Sequence, residues 1–203
     1  MPDKKLIIHS NTIGYDGFFK INLIDFSHSL YQGGMSPSIQ RELFGRGQAV
    51  VVLLYDLNLR KVVLVEQCRA GALEHALSAK KDKQAWLIEP VAGMIDPGET
   101  PLESCQREVA EEAGIMLNDF EYVCQFYPSP GGSSEILHLY AAQVDANELG
   151  DYAGLTHEVE DIRLIKYDFS DARLKLISGK FNVASTIIAL QWLFFQKLET
   201  DAL

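Results

Sequence analysis

Two uninterrupted apolar runs dominate the hydrophobic pattern, residues 48–55 (QAVVVLLY) and 61–67 (KVVLVEQ). Their length and β-branched content predict strands buried on both faces, joined by a turn at Asp56, Leu57 and Asn58. Upstream, residues 5–13 and 18–26 are rich in β-branched and aromatic side chains, with Gly14 and Gly17 between them, and predict two more strands. Gln32, Gly33 and Gly34 mark a turn, and a further strand is expected over 39–43. Residues 1–45 are too few to bury a core alone. They are expected to form a small β segment that docks on the main domain, residues 46–203, or on another copy of the protein.

Downstream, residues 70–84 are polar and alanine-rich, predicting a loop or a short helical turn. Residues 86–91 predict a strand that ends at Ala92 and Gly93. A helix is expected over 101–113, strands over 121–127 and 136–144, and a rigid, then flexible loop over 128–134 (PSPGGSS) between them. A long acidic loop spans 145–160, a length that often carries function. A strand over 161–167 follows, then a short helix from Ser170 that Gly179 stops. Asn182 or Ser185 opens a last helix to about Lys197, whose Ile187, Ile188, Leu190, Leu193 and Phe194 predict burial. Three helices alternating irregularly with strands predict an α/β fold, a helix–sheet–helix sandwich around a mixed sheet.

Composition narrows the function classes. The formal net charge is −10, which argues against nucleic-acid or anionic-membrane binding, since both need a basic surface. No apolar run reaches transmembrane length, and the start of the chain lacks a signal-peptide core. Cys68, Cys105 and Cys124 are scattered without metal-ligand spacing and read as reduced thiols of a cytoplasmic protein. His9, His28, His75, His138 and His157 likewise show no ligand spacing.

The chemistry concentrates in residues 93–115, GMIDPGETPLESCQREVAEEAGI. Thr100 can cap the helix, Pro101 suits its first position, Glu103 can complete a capping box and Gly114 is a natural stop. Leu102, Cys105, Val109 and Ala113 form an apolar stripe predicted to face the core. Glu108 and Glu112 stack four residues apart on its flank, where like charges repel by roughly a few tenths of a kcal/mol. A hard divalent cation would offset that repulsion. Magnesium suits carboxylate oxygens and keeps waters for substrate phosphates. Arg107 and Glu111, also four apart, can pair and orient the cluster.

This stretch resembles the Nudix box at every position: Gly93, Glu99, Arg107-Glu108-Val109, Glu111-Glu112 and Gly114-Ile115. The resemblance implies the Nudix α/β/α sandwich and Mg2+-dependent cleavage of a diphosphate joined to another group. Pro130, 16 residues past Gly114 within Ser129-Pro130-Gly131-Gly132, looks like the proline of the bacterial ADP-ribose pyrophosphatase subgroup. Matching flanks extend the likeness over nearly the whole chain, with 70–83 as a departure. In such enzymes the backbone carbonyl matching Ala92 and the carboxylates matching Glu108 and Glu112 hold Mg2+, joined by Glu160 once substrate binds. Two or more ions per site are implied, with Mn2+ able to substitute. Glu158 matches the loop general base for in-line attack by a metal-activated water, and Glu111 belongs with it among the catalytic carboxylates.

The remaining matches concern the substrate. Arg69 matches a residue on the diphosphate and ribose side, and Phe18 and Phe19 match residues that hold adenine, in part from a partner subunit. Arg41, Glu42, Arg46, Met94, Ser129 and Glu135 match further substrate contacts. The implied protein is a cytoplasmic homodimer with exchanged N-terminal segments that hydrolyses ADP-ribose to AMP and ribose 5-phosphate and binds neither nucleic acid nor membrane. The rivals are hydrolysis of another nucleoside diphosphate sugar and a non-catalytic ADP-ribose sensor.

Overall fold

The computed structural model describes residues 3–198. The chain divides into two compact units. The first comprises the chain up to Gln48 together with Tyr127–Ile136, and the second comprises Ala49–Phe126 and the chain from Leu137 onward.

In the first unit, β1 (Leu6–Asp16), β2 (Lys20–His28) and β3 (Ile39–Gly45) make an antiparallel sheet in that order. The first strand runs past its expected end at Ile13. Gly14 lies at a register shift inside β1, and the hairpin closes only after Asp16, which pairs with Lys20. The Ser-Pro-Gly-Gly loop belongs to this unit. Phe44 N–H donates to Gly132 O at 2.8 Å and Ser134 N–H donates to Phe44 O at 3.0 Å, so the loop is held along β3 by backbone pairing.

The second unit is built on β4 (Gln48–Asp56) and β5 (Lys61–Cys68), where the two apolar runs fall. Next come α1 (Leu73–Ala79), β6 (Trp86–Glu89), β7 (Val91–Met94), α2 (Pro101–Ala113), β8 (Glu121–Phe126) and β9 (Ile136–Gln143). The unit closes with β10 (Tyr152–Ala153), β11 (Ile162–Asp168), α3 (Phe169–Ile177) and α4 (Ala184–Trp192), which continues as a wider turn over Leu193–Lys197. The strand order is β10-β11-β5-β4-β9-β8, with β6 beside β5 and β7 beside β4. Ile136 N–H donates to Gly47 O and Val144 N–H donates to Tyr55 O, so β9 runs parallel to β4 and the sheet is mixed.

Alternation explains why β4 and β5 are apolar throughout. Successive side chains point to opposite faces, and both faces are covered. Val50, Val52, Leu54, Val63 and Val65 pack with Cys105, Val109 and Ala113 of α2. Val51, Leu53, Tyr55, Val62 and Leu64 pack with Phe169, Ala172, Ala189, Leu190, Leu193 and Phe194 on the other face. Each fully buried Val or Leu contributes about 1.5–3 kcal/mol. The result is the expected α/β/α sandwich.

Four further expectations need correction. The strand through 86–91 is two strands, because Pro90 has no N–H to continue the ladder: β6 pairs with β5 and β7 with β4. Residues 70–84, expected as a loop or a short helical turn, contain the seven-residue helix α1, which makes four α-helices rather than three among the described residues. The 145–160 loop is interrupted by β10, whose Tyr152 and Ala153 pair with Arg163 and Ile162. Leu102 is exposed, because the buried face of α2 is centred on the neighbouring rows Ser104-Glu108-Glu112 and Cys105-Val109-Ala113.

Candidate active site

The site in the second unit is assembled from α2 and the strand beside it. The helix starts as expected: Glu103 N–H donates to Thr100 Oγ1, Thr100 N–H donates to Glu103 Oε2, and Pro101 opens the first turn. Gly114 stops the helix at φ 72°, a left-handed conformation that favours glycine. β7 carries Ala92, Gly93 and Met94 alongside. A Cβ at Gly93 would collide with the Glu108 carboxylate, so the glycine lets that side chain reach the strand backbone.

Arg107 organises one half of the cluster. Its Nε donates to Glu99 Oε1 at 2.8 Å and its Nη2 to Glu99 Oε2 at 3.0 Å, a bidentate pair. Nη2 also donates to Met94 O at 2.8 Å. Nη1 donates to Glu108 Oε1 at 2.5 Å and, more weakly, to Glu111 Oε2 at 3.3 Å. The expected Arg107–Glu111 pair is therefore present, but the main partner is Glu99 on the preceding loop. Bonds from Arg107 and Ser104 pull the Glu99 carboxyl down to about 2.

Glu112 is held differently. It is 2% exposed. Its Oε2 accepts from Ala92 N–H at 3.0 Å and its Oε1 from the Gln67 amide at 3.1 Å. Burial pushes its carboxyl up to about 7, against those two bonds and the field of Arg69. Burial also raises Glu108, although the Arg107 guanidinium opposes it. Two buried carboxylates that resist ionisation alone fit a cation, whose charge would take the place of the proton. Among the described residues no three His, Cys, Asp or Glu side chains converge as a ready cage. Magnesium does not require one, since it binds through one or two carboxylates plus waters and substrate phosphates.

Two further groups face this cluster. Arg69, half-buried, donates from Nε to Glu89 Oε2 at 2.6 Å. Burial works against its charge, but Glu89, Glu112 and Glu160 together raise its pKa. The acidic loop is latched to α2 by Gly154 N–H donating to Glu111 O at 3.1 Å. Within the loop, Leu155 N–H donates to Glu160 Oε2 at 3.4 Å and Glu160 N–H donates to Leu155 O at 3.2 Å. Glu160 is half-buried, and its charge helps to raise the Glu108 carboxyl. Glu158 is exposed, with His157 3.7 Å from its carboxylate. Val159, between Glu158 and Glu160, sits at φ 58°, a strained backbone for a β-branched residue.

The first unit gathers a second set. Phe18 is 88% exposed and edges onto Phe19 at 4.7 Å between centroids. Phe19 edges onto Phe44 at 5.1 Å, and the Arg46 guanidinium lies 5.0 Å over the Phe19 ring with its Nε 2.9 Å from Glu135. Arg41 and Glu42 are exposed on β3, and Ser129 O accepts from the N–H groups of Gly132 and Ser133. Phe44, Glu89 and Gln67 were not singled out by sequence reasoning as site residues. Gln67 leaves a detectable trace, an amide in a strand position otherwise filled by buried apolar side chains.

A pH-dependent stability follows from Glu112. Its folded pKa of about 7 lies above the ordinary 4.5, so the folded metal-free protein holds a proton that the unfolded chain releases. That contribution is complete below about pH 4.5 and is lost as pH rises through about 7. Thermal unfolding of the metal-free protein should show a midpoint that falls across this window, with a shallower fall in Glu112→Gln. Added Mg2+ should raise the midpoint more above the window than below it. Identical slopes for the two proteins would mean that Glu112 titrates normally.

The NUDIX domain family matches residues 45–184. An ADP-ribose pyrophosphatase from Haemophilus influenzae is 38% identical over 179 residues, 88% of this chain and 81% of its own length. A GDP-mannose pyrophosphatase from Cronobacter sakazakii is 35% identical over 155 residues, 76% of this chain and 77% of its own. A crystal structure described as an ADP compounds hydrolase superposes with a TM-score of 0.69 at 20% identity, covering 97% of this chain and 96% of that one. At that identity the likeness concerns the fold.

Proposed function

The chain belongs to the Nudix family of hydrolases, and on that premise we propose that it hydrolyses the diphosphate of ADP-ribose, giving AMP and ribose 5-phosphate. The observation that carries the substrate is the likeness to ADP-ribose pyrophosphatases, which spans 88% of this chain. Among the described residues no helix is long and apolar enough to cross a membrane.

Glu108, Glu112 and the Ala92 carbonyl would hold Mg2+, with Glu160 joining them when substrate is bound. Bound Mg2+, two or more ions with Mn2+ as an alternative, supplies neutralisation of the non-bridging oxygens, a more acidic attacking water and a stabilised leaving oxygen. Glu158 accepts the proton of that water as its oxygen adds to phosphorus and the bridging P–O bond breaks. Arg69, fixed by Glu89, meets the diphosphate. Arg107 keeps Glu108 and Glu111 aimed through its anchor on Glu99. Phe18 and Phe19 hold adenine, and Arg41, Glu42, Arg46, Met94, Ser129 and Glu135 complete the substrate contacts.

The working form is a cytoplasmic homodimer with exchanged N-terminal segments. The exposed Leu6, Ile7, Ile8, Ile13 and Tyr15 of β1 support this, since so much apolar surface on one strand calls for a cover. Light scattering should give twice the chain mass, and a monomer at working concentrations would refute it. The substrate is tested by kcat/KM for ADP-ribose beside GDP-mannose and other nucleoside diphosphate sugars. ADP-ribose should lead the panel. A faster hexose derivative would keep the chemistry and replace the substrate.

A further inference from the structure

The two stacked carboxylates of α2 are restrained by chemically different partners. Glu108 accepts from the Arg107 guanidinium on its own helix, so its charge is partly neutralised within the fold. Among the described residues, Glu112 receives no hydrogen bond from a cationic donor. Its oxygens are divided between a backbone N–H of β7 and the side-chain amide of Gln67 on β5. Gln67 is 7% exposed and sits between Glu66 and Cys68 in a central strand. A polar side chain so buried costs stability unless bonded, and its bond goes to Glu112.

We infer that Gln67 is a positioning residue for cation binding: its neutral amide fixes the rotamer of Glu112 and leaves the carboxylate's full charge for the metal. An apolar residue there would free the carboxylate to turn, and a cationic one would fix it but also neutralise it. A neutral donor meets both requirements. Partners of metal ligands in other proteins act this way, and their removal costs about 10- to 100-fold in metal affinity or activity. The inference rests on the reading of Glu112 as a metal ligand given above.

The test uses Mn2+ as the probe, followed by the electron paramagnetic resonance of the free ion without substrate. Gln67→Met removes the donor at similar volume, and Gln67→Lys replaces it with a charge. Both should weaken Mn2+ binding by about 10- to 100-fold. Thermal unfolding of the metal-free proteins should move in opposite directions, down for Gln67→Met and up for Gln67→Lys, because only the latter neutralises Glu112. A merely structural residue would let metal affinity follow stability. Turnover of Gln67→Met should recover with added Mg2+, while KM for ADP-ribose at saturating metal stays near wild type. Mn2+ affinity within about twofold of wild type in whichever variant folds would overturn the inference. Wild-type protein that binds no Mn2+ would overturn the metal assignment itself, and the inference with it.

Discussion

Glu112→Gln should lower Mg2+-dependent hydrolysis of ADP-ribose by at least about 10³-fold, some 4 kcal/mol of transition-state stabilisation, while the protein stays folded. Glu112 is the most buried carboxylate of the cluster and sits over Glu108 on α2, between the helix and β7. A glutamine keeps an oxygen for the Ala92 N–H, its amide N–H can donate to Gln67 once that side chain turns its oxygen over, and it removes a negative charge that burial already disfavours. The fold therefore loses little, and the metal-free protein loses its costly anion at high pH. What disappears is the charge that would hold a cation against the substrate's phosphates. Turnover at saturating substrate and circular dichroism on the same preparation check both halves. A folded Glu112→Gln protein with near-full activity would place the metal elsewhere.

Glu158→Gln should separate binding from chemistry. Glu158 is exposed on a short helical turn and touches neither Glu108 nor Glu112 by hydrogen bond, so its loss should leave the metal cluster and its surroundings intact. A general base contributes about 10²- to 10⁴-fold, and its removal falls on kcat. KM for ADP-ribose should change by no more than about threefold. Gly154 anchors the start of the loop to Glu111, Glu160 bonds back to Leu155, and the strained Val159 lies between. Steady-state kinetics over a range of Mg2+ distinguishes this from metal loss: added Mg2+ should not rescue Glu158→Gln. An unchanged kcat would assign the proton transfer to another group.

The legible parts of the fold were those set by local rules. Thr100, Pro101, Glu103 and Gly114 specify the ends of α2 through bonds to near neighbours, and the helix runs between the limits they set. The apolar runs of β4 and β5 announced burial on both faces, which requires helices on both sides. Leu102 was misplaced because hydrophobic spacing assumes that the buried face is the apolar one. In α2 the buried face includes Glu108 and Glu112, two carboxylates that hydrophobic spacing assigns to the polar side. The contacts that hold those carboxylates were beyond sequence spacing. Gln67 and Glu112 are 45 residues apart, Arg69 and Glu89 are 20 apart, and only the pairing of β5 with β6 and the placing of α2 bring them together. Arg107 shows the middle case. Its helical neighbour Glu111 was predictable, while Glu99, eight positions back on a loop, took the better geometry.

Hydrolysis of ADP-ribose is tested most directly by identifying its products after incubation with the purified protein, with and without Mg2+. AMP and ribose 5-phosphate should appear in equal amounts, formed only with the metal and suppressed by a chelator. Metal-independent cleavage, or binding of ADP-ribose without turnover, would contradict it.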